Sequence, residues 1–221
     1  MRYVLFVLFA SAIVSLQTAV AADYRLEELP EAAPAGELSA AVAKTLQPAG
    51  SKIIKGKSRT LCDVWFCKTW NAKSDFKPTN TVLYPFEVGQ LVGAVRFKSK
   101  GTDFRGQEIP SGVYTIRYAQ QPVDGNHVGT SDTLDFLLLL PAEVDQGIEP
   151  LDAKEMFKTS AKVAGTNHPT MLTLQAAGST GSETAELRHD EERDYWVLCT
   201  TGKAGKQAVP LEVVIVGESE H

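Results

Sequence analysis

Cysteine is scarce in this 221-residue chain, with three residues, and histidine is nearly so, with four. So few soft ligands leave little room for a zinc cage, and the C-x4-C spacing of Cys62 and Cys67 has no histidine beside it to make one. No cluster of lysine and arginine occurs, and the formal net charge is −5, which argues against a nucleic-acid partner. The phosphate-cradling patterns G-x-x-x-x-G-K-S/T and G-x-G-x-x-G are absent, and so is the nucleophile elbow G-x-S-x-G. Beyond the N-terminus, no apolar run approaches the roughly 20 residues that a spanning helix needs. The strongest, Leu134 to Leu140, is short and carries Asp135 inside it.

What is present begins at the N-terminus. Arg2 precedes an apolar run from Tyr3 to Leu16, followed by the small residues Ala19-Val20-Ala21-Ala22. This is the pattern of a secretory signal peptide over residues 1–21, with cleavage after Ala21 or Ala22, since signal peptidase accepts only small side chains at −3 and −1. No cysteine near the cleavage site invites a lipid anchor. Cleavage removes Arg2 as the only charged residue, leaving 21 Lys+Arg against 27 Asp+Glu, a net of −6. The expected location is the periplasm or the extracellular space.

Export turns the three thiols into a disulfide question. An odd count leaves at least one unpaired within the chain. Cys62 and Cys67 sit on a stretch that reads as a strand, where five positions span about 16 Å, and a disulfide needs Cα atoms within about 7 Å. The expected bridge is therefore Cys199 with Cys62 or Cys67. The alternative is three buried thiols acting as small apolar residues.

Residues 22–50 read as a lead-in with Pro30 and Pro34 and one short helix over Glu37–Gln47, whose Leu38, Val42 and Leu46 share a face. Residues 51–217 read as the domain proper. Strands are expected at Ser51–Lys55, Thr60–Trp70, Leu91–Lys98 (half-buried), Val113–Tyr118, Leu134–Leu140, Thr170–Gln175, Thr184–His189, Tyr195–Thr200 and Val209–Val216, because β-branched and aromatic residues crowd there between turn signals. A second helix is expected over Asp152–Lys162, with Asp152 as N-cap. Strands in consecutive runs predict a mainly β fold, an antiparallel β-sandwich of jelly-roll type with one or two short helices.

Two loops hold the candidate chemistry. Asp124 to Asp135 has oxygen side chains at positions 1, 3, 9 and 12 of a twelve-residue calcium loop and Gly129 at position 6, but Val128 stands at position 5 and its flanks read as strands. The plainer reading is an inter-strand loop whose Asp and Asn side chains bond their own backbone. His127 with His168, together with Asp124, Asn126 or Asp132, forms a metal or acid–base cluster only if the loops at 124–135 and 165–169 share one end of the domain. The charge run His189 to Asp194 reads as a solvated hairpin turn. Trp65, Trp70 and Trp196 offer surfaces for sugars if exposed and core if not.

The stretch Gly106-Gln107-Glu108-Ile109-Pro110-Ser111-Gly112-Val113-Tyr114-Thr115-Ile116-Arg117 resembles a segment of exported, planctomycete-like bacterial proteins of unknown function, in which an Ile-Pro-small-Gly turn launches a strand. Gln121 to His127 and Asp135 to Leu139 continue the likeness, which covers about residues 50–175. It implies a β-sandwich and export and assigns no residue a role. The leading expectation is an exported, non-enzymatic binding or interaction module for an extracellular or cell-envelope protein or glycan. The alternative is a metal-binding protein or metal-dependent hydrolase using the two loops.

Overall fold

The computed structural model describes residues 23–122, 133–178 and 184–219. The described residues are mainly β, with antiparallel sheets and two helices. Ten strands form one hydrogen-bonded sheet, which curls until its two end strands approach each other.

The first strands of the sheet are β1 (Tyr24–Leu29), β2 (Gly50–Lys55), β3 (Arg59–Phe66), β4 (Leu91–Phe97), β7 (Gly112–Gln120) and β8 (Asp135–Pro141). β9 (Met171–Gln175), β10 (Glu186–Asp190), β11 (Tyr195–Ala204) and β12 (Gln207–Val216) continue it. β5 (Gly101–Thr102) and β6 (Glu108–Ile109) make a small hairpin outside the main sheet. The main sheet runs β1-β2-β3-β4-β7-β8-β9-β12-β11-β10: it follows the chain as far as β9, and the last three strands then come in reverse. The helices are α1 (Ala40–Thr45), capped by Ser39, and α2 (Ala153–Ala164). In α2 the Asp152 side chain accepts the Glu155 N–H and Gly165 closes the other end in the left-handed region. No helix among the described residues is long and apolar enough to cross a membrane.

Strand periodicity explains how both faces are buried. On β8, Leu137 and Leu139 point into the main core with Ile116, Tyr118, Leu198 and Val213. Their neighbours point outward and are covered: Leu138 and Leu140 by Met156 of α2, Phe136 by Phe104 of the β5–β6 hairpin. Met156 is fully buried there, a contribution of roughly 1.5–3 kcal/mol. β4 is likewise buried on both faces, where a half-buried strand was expected; only Arg96 remains partly exposed.

The interior is filled by the long connection between β3 and β4. Trp70 donates its indole N–H to Val92 O at 3.0 Å and lies against Gly202, where a Cβ would stand 2.1 Å from the ring. Phe86 sits between Trp70 and Tyr118, at ring distances of 5.3 and 5.5 Å. Tyr84 stacks on Phe86 and ties β9 to β12, donating to Gln175 O at 2.6 Å and accepting the Glu212 N–H at 3.0 Å.

Of the lead-in expected over residues 22–50, the short helix is present as α1, within Glu37–Gln47, and the stretch before it differs. Tyr24–Leu29 is a strand, paired antiparallel with β2 from Tyr24↔Lys55 to Leu29↔Gly50. It alternates half-buried Tyr24 and Leu26 with exposed Arg25 and Glu27, as an edge strand does.

Candidate functional site

Thr115 and Arg117 stand on the outer face of β7, in a strand otherwise apolar or aromatic up to Gln120 at its end. An arginine there must find an anion and further acceptors or lose several kcal/mol to desolvation. It finds both in the segment that leaves β8. Pro141 ends that strand, and its carbonyl accepts the N–H groups of Val144 and Asp145 at 2.9 and 3.0 Å, a tight turn that points the Asp145 carboxylate back at the sheet. Arg117 meets it with Nε and Nη2, each at 2.7 Å. Thr115 donates to the same carboxylate. The three remaining guanidinium N–H groups go to carbonyls, Gly89 at 2.9 Å, Glu149 at 2.7 Å and Gly147 at 2.6 Å. All five donors of the fork are thereby taken up.

The outcome is a clamped loop. Ser39 donates to Gln146 O at 2.7 Å, and Gln146 Nε2 to Glu143 O at 3.0 Å. Leu151 closes on Gly89, whose φ of +89° and lack of a side chain allow it; a Cβ there would lie 2.1 Å from Leu151 O. With its backbone held so, the loop turns Val144 and Ile148 to solvent, at 54% and 45% exposure. These are the large apolar side chains that the described surface displays most openly. Glu143, Gln146 and Glu149 surround them and are exposed.

The other buried carboxylates also serve the fold. Asp103 accepts the N–H groups of Arg105, Gln107 and Met171 and the Gln107 amide, fixing the β5–β6 hairpin to β9. Asp135 accepts from Tyr118 Oη and the Leu83 N–H. Asp63 takes Arg96 on Oδ2, at 2.6 and 3.1 Å, while its Oδ1 is buried without a protein partner. The Arg96 guanidinium also lies 5.4 Å over the Trp65 ring.

All three cysteines are free, buried thiols, so the bridge expected between Cys199 and Cys62 or Cys67 is not formed. Cys62 and Cys67 belong to the main core, whereas Cys199 lies in a separate buried cluster with Val197, Tyr195 and Phe104. Burial pushes the Cys67 thiol up to about 11 and raises Cys62 and Cys199 as well. Thiols that resist ionisation are poor nucleophiles and poor ligands.

Of the candidate metal ligands, Asp124, Asn126, His127 and Asp132 lie outside the described residues. His168 is exposed in the turn after α2, its backbone held by Thr166 Oγ1. Asp135, the twelfth position of the calcium-loop reading, is turned inward and occupied by Tyr118 and Leu83, which removes it from any such site. Among the described residues, no three His, Cys, Asp or Glu side chains gather as a metal site would require. Trp65 and Trp70 are buried, and Trp65 donates to Glu31 O at 2.9 Å, so neither offers a surface to sugars. Trp196 is half-buried with His189 stacked on it at 4.3 Å.

Sequence reasoning missed the Arg117–Asp145 pair. Its one signal was a lone arginine inside the run Val113 to Tyr118, which demands a buried anion without naming it. Comparison with protein-family models, with curated proteins and with solved structures finds no match to this chain. The site therefore stands on its own geometry.

Proposed function

We propose that this protein is an exported, non-enzymatic interaction module that engages a protein of the cell envelope or extracellular space through residues 143–150. The observation that carries the reading is the clamped loop: a fully buried arginine fork holds a backbone whose apolar side chains Val144 and Ile148 face water. Ordering a loop before binding lowers the entropy cost of association, which is how a small contact area comes to bind usefully. Export is supported by the charged, apolar and small-residue succession from Arg2 to Ala22. A non-enzymatic role is supported by the buried Asp103, Asp135 and Asp145 being engaged with their own chain.

The nearly closed sheet is, in the same reading, flattened like a sandwich. The support is its packed interior, since opposed walls meet through side chains as two packed sheets do. A round barrel grows wider with strand number and opens a cavity.

The double variant Val144→Asp/Ile148→Asp tests the reading. It should fold with unchanged circular dichroism and lose co-purification with one discrete protein from the host's own envelope fraction. Retention of the same partner by the variant would overturn the assignment to this loop.

A further inference from the structure

The end strands β1 and β10 approach each other without joining a common ladder. What bridges them is a row of side chains. Tyr24 of β1 lies 5.4 Å from the ring of Trp196 on β11, tilted by 57°. Trp196 is stacked on His189 of β10 at 4.3 Å and 11°. His189 Nε2 lies 2.8 Å from Asp194 Oδ1. Asp194 holds φ +53°, a left-handed conformation that aspartate tolerates better than most residues, and this turns its carboxylate toward the imidazole.

We propose that this row is a proton-operated latch on the seam of the sheet. A protonated imidazole forms an ion pair with Asp194 and a cation–π contact with Trp196 at once. Both contacts pin the indole in the position from which it touches Tyr24. A neutral imidazole keeps the stack and loses the charge in both contacts. β1 is therefore held to the far edge more firmly when the imidazole carries its proton than when it does not.

The surrounding charges leave this sign in place. On the β10–β11 side Asp190 accepts the Glu192 and Arg193 N–H groups, Arg193 lies 3.9 Å from Asp190, and Arg188 is paired with Glu212 at 2.6 Å. On the β1–β2 side Lys55 Nζ stands 5.5 Å from the Tyr24 ring centre, and Arg25 pairs with Glu27 at 3.1 Å. Asp194 is the charge in direct contact with the imidazole among these groups.

Hydrogen exchange of the β1 amides at pH 5.5 and pH 8, corrected for intrinsic rates, tests the latch. In the wild type, protection of Tyr24–Leu29 should fall about threefold on going to pH 8, the size expected of a half-exposed ion pair, while α2 amides change little. His189→Phe preserves the stack without the charge and should give equal β1 protection at both pH values. Asp194→Asn, which changes only the anion, should shrink the difference. The latch is overturned if wild-type β1 protection is the same at both pH values, or if His189→Phe retains the full difference.

Discussion

Arg117 and Asp145 meet through two hydrogen bonds of 2.7 Å, with the arginine side chain fully buried and the carboxylate almost so. The pair joins the centre of β7 to the segment before α2, and through Gly89, Gly147 and Glu149 it reaches three further points of the backbone. A buried ion pair of this kind contributes little net stability against an apolar pair of similar volume, because both charges must be desolvated. Its consequence is positional: one loop conformation satisfies all of these groups at once.

The first prediction follows from that asymmetry. Arg117→Met should destabilise the protein by about 3–5 kcal/mol, since it strands a buried carboxylate and three carbonyls. Arg117→Met with Asp145→Leu should recover much of the loss while leaving the loop less ordered. Urea unfolding measures the first effect, and hydrogen exchange over residues 143–151 the second.

A methyl group at Gly202 should cost about 1–3 kcal/mol, the usual range for overpacking. The Cβ would stand 2.1 Å from the ring of Trp70, which is buried and held by its bond to Val92 O. Gly205→Ala, in the turn between β11 and β12 at φ +60° with open space around it, should cost only its backbone strain. Thermal unfolding of the two variants separates packing from strain.

Stability should decline above about pH 8.5, where thiols of the unfolded chain ionise. Burial keeps Cys67 protonated up to about 11. Above the unfolded value, the unfolded chain binds fewer protons than the folded one, so rising pH favours unfolding, by about 1.4 kcal/mol per pH unit for each such thiol. The contribution is complete at neutral pH and is lost as pH climbs toward the folded value. Cys67→Ala should flatten this slope. Iodoacetamide at pH 8 should modify three thiols in urea and leave Cys62 and Cys67 unmodified in the native protein.

Calcium should bind no more tightly than to any acidic surface. The loop at 124–135 would need Asp135, and that carboxylate is engaged with Tyr118 and Leu83. Isothermal titration of the purified protein should show no saturable heat. A stoichiometric endotherm or exotherm would restore the metal reading built on Asp124, Asn126, His127, Asp132 and His168.

Much of the framework was legible because it is local. β2, β7, β8, β9, β11 and β12 coincide with runs of β-branched and aromatic residues, and α2 begins at the Asp152 cap that its spacing predicted. β1 was not legible: a short edge strand with Arg25, Glu27 and Glu28 looks like solvent-exposed chain until its partner is known. Neither were the faces of β3, where Asp63, Trp65 and Cys67 alternate with Cys62, Val64 and Phe66. Both faces are buried, since the interior takes one and the segment around Glu31 and α1 covers the other. The clamp was beyond reach for the same reason: Arg117 finds Asp145 twenty-eight positions away, across a connection whose path only the fold defines.

The interaction surface itself is tested most directly by photo-crosslinking in the native host. A benzoylphenylalanine placed at Val144 should yield one discrete covalent protein adduct on illumination, and the same group at exposed Lys57, in the β2–β3 turn, should not. Identical adduct patterns at the two positions, or none at Val144, would contradict the assignment of binding to the clamped loop.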